Sequence, residues 1–195
     1  MSQFLDIQLP QAVLEDARSG DGAARAQIYV TLSKPVYTLI RRLVVQPAVA
    51  EELLHDVFID VIRHLDLYRG EGSFAGWVRS IAVSKALMHL RSPWHRRLHF
   101  EDADGLLAGS PSAPVSPAEE WHDDLDRALN QLPAVARSIV WLHDVEGYKH
   151  TEIARLFGHS VSFSKSQLAR AHERLRTLLE SPEGMLACTP ASRNS

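Results

Sequence analysis

The stretch Ala50-Glu51-Glu52-Leu53-Leu54-His55-Asp56-Val57-Phe58-Ile59-Asp60-Val61-Ile62-Arg63-His64-Leu65 decides the fold. Its apolar residues Ala50, Leu53, Leu54, Val57, Phe58, Val61, Ile62 and Leu65 recur in alternating steps of three and one. That period belongs to a helix with a broad buried face. Each large side chain buried there contributes about 1.5–3 kcal/mol, so the helix is central to a core. Glu51, Glu52, His55, Asp56 and Asp60 fall on the other face. Glu52 and Asp56 are one turn apart, where like charges are mildly destabilising. A run of charge of this kind fits a solvated helix face, and it also fits a docking surface for a basic partner.

Working outward, Tyr68-Arg69-Gly70-Glu71-Gly72 reads as a turn before a helix over 74–90. Phe74, Trp77, Val78, Ile81, Ala82 and Leu87 suit its inner side, while Arg79, Lys85 and Arg91 project elsewhere. The basic character continues through Arg91-Ser92-Pro93-Trp94-His95-Arg96-Arg97-Leu98-His99. Rings interleaved with cations suit single-stranded nucleic acid, because bases stack on the rings and cations follow the phosphates. The same residues also suit a core tryptophan with solubilising arginines. Upstream, a short helix over 11–18 ends in the turn formers Ser19-Gly20-Asp21-Gly22. A longer one spans 23–45, with Ile28, Leu32, Val36, Leu39, Ile40, Leu43 and Val44 on its apolar side. Pro35 lies inside that pattern and is expected to kink or split the helix.

Downstream, Glu101-Asp102-Ala103-Asp104 and Gly109-Ser110-Pro111-Ser112-Ala113-Pro114-Val115-Ser116-Pro117 form an acidic and then proline-rich linker. Beyond it, a helix over 117–131 places Trp121, Leu125, Ala128 and Leu129 on one side. Pro133 begins the next helix, over 134–145, and Gly147 ends it. A short helix over 151–157, a turn at Gly158-His159 and a long helix from Ser160 to about 179 then read as a helix-turn-helix. Ser160 is a natural cap, and Ala154 permits close helix crossing. The long helix carries Lys165, Ser166, Arg170, Arg174 and Arg176 against Glu173. Such donors suit base edges and phosphates in a major groove, although a helical hairpin with a cationic surface carries the same charges.

Composition bounds the alternatives. The 195 residues carry a net charge of −3, so any nucleic-acid contact must come from local clustering. No apolar run approaches the roughly 20 residues of a bilayer span, and the first residues, Met1-Ser2-Gln3-Phe4-Leu5-Asp6, do not read as a secretory leader. The single cysteine, Cys188, cannot form an internal disulfide. A cytoplasmic protein without membrane contact is the simple reading. The ten histidines are scattered without zinc-like spacing, and phosphate loops, nucleophile elbows and convincing acid pairs are missing. Neither enzyme activity nor a metal or other cofactor is expected.

Taken together, these segments resemble a bacterial RNA polymerase sigma factor of the extracytoplasmic-function group, the compact sigma-70 class with only regions two and four. The carrying pieces are Ala50-Glu51-Glu52-Leu53-Leu54-His55-Asp56-Val57-Phe58, Phe74-Ala75-Gly76-Trp77-Val78-Arg79-Ser80-Ile81-Ala82, Ala128-Leu129-Asn130-Gln131-Leu132-Pro133, Glu152-Ile153-Ala154 and Lys165-Ser166-Gln167-Leu168-Ala169-Arg170-Ala171. The resemblance implies an all-α chain of two small helical domains joined by a flexible linker, the second a four-helix helix-turn-helix domain. Its boundaries would be an N-terminal extension at 1–22, region two at 23–97, a linker at 98–117, region four at 118–181 and a disordered tail at 182–195. The implied partners are core RNA polymerase, through its beta-prime and beta subunits, promoter DNA and an anti-sigma factor. By position, Glu51, Glu52, His55, Asp56 and Phe58 would dock on the polymerase. Trp77, Arg79, Ser84, Lys85 and Arg91 would capture the opened minus-ten strand. Ser162, Lys165, Ser166, Ala169 and Arg170 would read the minus-thirty-five element. The function implied is an alternative sigma factor directing promoter recognition, melting and transcription initiation. The alternatives are a helix-turn-helix regulator, or a degenerate sigma partner without initiation activity of its own.

Several residues depart from the family pattern. Glu52 and His55 stand where Asp and Gln are usual, and Ser84 where Asn is usual. Ala169 replaces a larger side chain. Phe163-Ser164 replaces the usual Thr-Val before the lysine, which places a hydroxyl on the packing stripe. Two arrangements would accommodate it: a slightly rotated helix, or a bond from Ser164 to its own backbone.

Overall fold

We describe the chain from a computed structural model, in which residue 4 and residues 6–91 and 124–180 are placed. The described residues are helical, without a strand among them. The first group comprises α1 (Gln11–Ser19), α2 (Gly22–Leu43), α3 (Pro47–Arg63), a 3-10 turn (Leu65–Leu67) and α4 (Phe74–Leu90). The second comprises α5 (Asp124–Asn130), α6 (Ala134–Val140), a π turn (Trp141–Val145), α7 (His150–Phe157) and α8 (Val161–Glu180). The linker and tail expected from composition lie outside the described residues.

The apolar stripe of α3 does what its period implies. Ala50, Leu53, Leu54, Val57, Phe58 and Val61 are buried between α2 and α4. The α2 helix runs unbroken through Pro35, so of the expected kink or split the split does not occur. Proline costs that helix one amide donor. Against that loss, Pro35 is itself buried and Ile28, Leu32, Val36, Leu39 and Ile40 anchor the helix on both sides of it. Asp21 caps α2 by accepting from the amides of Ala23 and Ala24 at 3.1 and 3.3 Å.

The short α1 is integrated with this core. Leu14 and Ala17 are buried, and Arg25 of α2 donates to the Ala17 carbonyl at 3.0 Å. Arg18 reaches the α3–α4 connection, donating to the carbonyls of Tyr68 (2.7 Å) and Leu65 (3.4 Å). The Tyr68 hydroxyl in turn donates to the Gly72 carbonyl at 2.7 Å. The loop that precedes α4 is thereby held from both sides.

In the second group, Ile139, Leu142, Ile153, Leu168 and Ala171 form the interior. Leu125, expected on the buried side of its helix, is instead largely exposed, and Ala128 and Leu129 face inward. Gly158 takes the left-handed conformation (φ 68°) that the turn between α7 and α8 requires. Ser160 caps α8, its hydroxyl accepting from the Phe163 amide at 3.1 Å. At the other end of α7, Glu152 accepts from the Lys149 amide at 2.7 Å. The helix-turn-helix reading of this segment therefore rests on cap and turn chemistry that the structure displays.

Candidate polymerase and nucleic-acid interfaces

The first surface is the outer face of α3. Glu51, Glu52, His55 and Asp56 are exposed there. Among the described residues, neither Glu51 nor Asp56 has a salt-bridge partner. Glu52 acts on His89 of α4, whose pKa burial lowers and Glu52 raises in part. Asp60 behaves differently, because its carboxylate pairs with Lys85 of α4 at 2.7 Å. Phe58 is also distinct from its neighbours. It is only 7% exposed and packs against Tyr29, with ring centroids 4.7 Å apart. It supports the acidic face from beneath and offers little docking area of its own.

The second surface surrounds the start of α4. Ser73 caps the helix by accepting from the Gly76 amide at 2.9 Å. A Cβ at position 76 would lie 2.9 Å from that hydroxyl, so glycine keeps the cap intact. Tyr68, Phe74 and Trp77 form an aromatic trio, with centroids 5.2–5.8 Å apart. Trp77 is half-buried against the core, so part of its ring is committed to packing. Ser84 and Arg91 are exposed. Ser84 and Lys85 line an open cleft of about 320 Å³ between α3 and α4, together with Asp60, Ser80, Ile81 and Met88.

The third surface is the outer face of α8. Ser162, Lys165, Ser166, Ala169 and Arg170 are all exposed, while Ser164, Leu168, Ala171 and Leu175 are buried. The last four residues of the outward set lie at i, i+1, i+4 and i+5, on one side of the helix. The structure thus brings together all five residues expected to share a reading face. Ser166 also donates to the Phe163 carbonyl at 3.0 Å, which tethers its hydroxyl close to the helix.

Comparison with known proteins gives this geometry a family. The model for Sigma-70 region 2 matches residues 28–96, and that for Sigma-70 region 4 matches residues 122–175. The chain is 31% identical over 166 residues to the RNA polymerase sigma factor CarQ of Myxococcus xanthus, covering 85% of this chain and 95% of that one. The chain belongs to the extracytoplasmic-function sigma factors. It is also 32% identical over 151 residues to the ECF RNA polymerase sigma factor SigE of Mycolicibacterium smegmatis, with 74% of this chain matched but only 57% of SigE. Its fold resembles that of the sigma factor RpoE of Bartonella quintana, solved in complex with the anti-sigma factor NepR. There the TM-score is 0.54 and identity 22%, over 80% of this chain and 97% of that one. As an alternative sigma factor, the protein directs promoter recognition and transcription initiation.

Two features of this sigma factor escaped sequence reasoning. The first is a clasp between the two helical groups. Arg79, expected on the strand-capture surface, donates through Nη1 to the Glu146 carbonyl at 3.0 Å and to its carboxylate at 3.4 Å. Its guanidinium also lies 5.0 Å from the Tyr148 ring. Burial raises the Tyr148 hydroxyl, an effect that the Arg79 charge opposes. Arg42 pairs with Asp126 and lies over the Trp141 ring at 4.9 Å. Arg137 is buried between α6 and the end of α2, donating to the Leu43 and Leu132 carbonyls at 3.3 and 3.4 Å, and burial lowers it to about 10. The hydrogen bonds that join the two groups span 67 to 94 residues, a range over which no local pattern operates.

The second is a polar chain in the helix-turn-helix domain. The hydroxyl of Ser164 does not bond its own backbone; it meets His150 Nδ1 at 3.0 Å. The His150 ring stacks on His143 at 4.5 Å. Asp144 then joins His143 and His172, at 2.7 Å to each. Burial alone would raise the Asp144 carboxyl, but its hydrogen bonds and charge contacts with the two histidines hold it below the usual carboxylate range. No group among the described residues is arranged to hold a metal ion. No described helix is long and apolar enough to cross a membrane.

Proposed function

We propose that the three surfaces divide the work of initiation. The acidic face of α3 docks on core RNA polymerase through Glu51, Glu52, His55 and Asp56, with Phe58 as its support. The length of α4 captures the opened minus-ten strand with Trp77, Arg79, Ser84, Lys85 and, just past its end, Arg91. The outer face of α8 reads the minus-thirty-five element. Region two would then occupy about residues 23–97 and region four about 118–181, with α1 bracing the former.

The observation that carries this reading is the contrast along α3. Asp60 has its lysine, whereas Glu51 and Asp56 remain exposed without an ion pair among the described residues. Acids left in that state cost little in water and complement a basic partner. The Glu52→Lys, Asp56→Lys double variant should retain the helical circular-dichroism signal and thermal midpoint of the parent. It should lose co-elution with core polymerase and run-off transcription. Unchanged holoenzyme assembly would refute the docking assignment. Run-off transcription with this chain as the sole specificity factor also excludes or establishes a degenerate partner role. Because RpoE was solved with an anti-sigma factor bound, an inhibitor of that kind is the natural regulatory partner to seek.

A further inference from the structure

The chain of contacts through the histidines begins and ends on the recognition helix. It leaves α8 at Ser164, crosses to His150 at the start of α7 and passes by ring stacking to His143 in the π turn. Asp144 then returns it to α8 at His172, eight residues after its origin. Ser164 is 0% exposed, on a stripe otherwise made of Leu168, Ala171 and Leu175. A buried hydroxyl needs a partner, and here the partner sits on a different helix. An apolar side chain at 164 would pack in many rotations of α8, but a hydrogen bond to a fixed imidazole favours one.

That rotation matters because Ser164 is adjacent to Lys165, and the two ends of the chain bracket the outward residues 165, 166, 169 and 170. His150 is in turn fixed by its stacking on His143. Lys165, His143 and Asp144 are the charged or titratable groups acting on it, besides the contact with Ser164. We propose that His150, acting through Ser164, is a positioning residue that sets the rotational register of the recognition helix and thereby its minus-thirty-five selectivity. This rests on the reading that the outer face of α8 contacts that element.

The test uses reconstituted holoenzyme and a template library randomised across the minus-thirty-five segment, with transcripts sequenced against input. The parent should enrich a defined set of segments. His150→Ala should flatten that enrichment roughly tenfold, the scale of one lost or misplaced base contact. Ser164→Ala, a smaller change that a helix tolerates readily, should produce the same flattening. The double variant should be no worse than either single one. His150→Asn, whose side-chain amide nitrogen can occupy the Nδ1 position, should restore the parental set. If the parent enriches segments and both alanine variants enrich the same ones equally, the positioning role is wrong while the reading of α8 stands. If the parent itself shows no preference, the reading of α8 fails and the inference with it. Failure of asparagine to rescue would overturn the hydrogen bond as the cause.

Discussion

Removing the carboxylate of Glu146 should loosen the two domains of this sigma factor while leaving its DNA-facing residues intact. The Glu146 side chain is 4% exposed and that of Arg79 is 22% exposed, so their pairing is only partly screened. A hydrogen bond to a charged group contributes about 1.5–3 kcal/mol. The 3.4 Å separation is long, and the 3.0 Å bond from Arg79 to the Glu146 carbonyl survives truncation. Relief of the carboxylate's own burial offsets a further part. The net loss for Glu146→Ala is therefore about 1–2 kcal/mol, a factor of about 5–30 in the ratio of separated to closed molecules. With Cys188→Ser as background, dyes on cysteines placed at exposed Glu15 and Glu180 report that ratio by single-molecule energy transfer. The low-transfer population should rise by that factor. Arg79→Ala should open the domains likewise but should also weaken capture of a minus-ten single strand, whereas Glu146→Ala should not. Identical distance distributions in the parent and both variants would refute the clasp.

Arg170→Ala should cost about 1–3 kcal/mol at matched promoters and little elsewhere, measured by holoenzyme binding across a set of minus-thirty-five substitutions; uniform weakening would make Arg170 a phosphate contact. Phe58→Ala should cost about 3–5 kcal/mol in urea unfolding, as loss of a buried aromatic ring does, whereas Glu51→Ala should leave the unfolding curve within experimental error. Acidification should destabilise the fold in two stages. Burial lowers His89 and His150, so the unfolded chain binds more protons than the native one, and stability falls as pH drops through about 6.5. Asp144, held below its ordinary value, contributes stability above about pH 4 that is lost as pH falls further. Thermal midpoints measured from pH 8 to pH 3 should follow both steps, and the Asp144→Asn variant should lack the second.

The parts of this molecule legible in advance were those set by local chemistry. The alternating three-and-one spacing of α3 placed its buried face correctly because burial repeats with the helical period. Gly158 and Ser160 marked the helix-turn-helix because a left-handed turn and an exposed amide each demand a particular residue type. Phe58 shows where that logic blurs. It belongs at once to the apolar stripe and to a motif read as a docking surface, and only packing against Tyr29 decides which way the ring turns. Arg79 and Lys85 were equally ambiguous, since a cation in a helix announces its charge but not its partner. Their partners, Glu146 and Asp60, come from elsewhere in the chain. The histidines misled for the opposite reason. Spread along the sequence they match no ligand spacing, yet the π turn and the crossing of α7 with α8 bring three of them to one place.

That π turn has a mechanical consequence. Its backbone closes with a bond from the Glu146 amide to the Trp141 carbonyl, five residues apart, at 3.1 Å. Asp144 and Glu146 are consequently delivered to opposite neighbours from almost the same point, one to His172 on α8 and the other to Arg79 on α4. Proton occupancy on one side and domain separation on the other thus share a single short lever. Thermodynamic reciprocity then applies: if separating the domains changes the proton affinity of the histidines, proton uptake must change the separation equilibrium by the same factor. Any difference between the titration midpoint of the closed molecule and that of the separated one then measures the coupling free energy between the two equilibria.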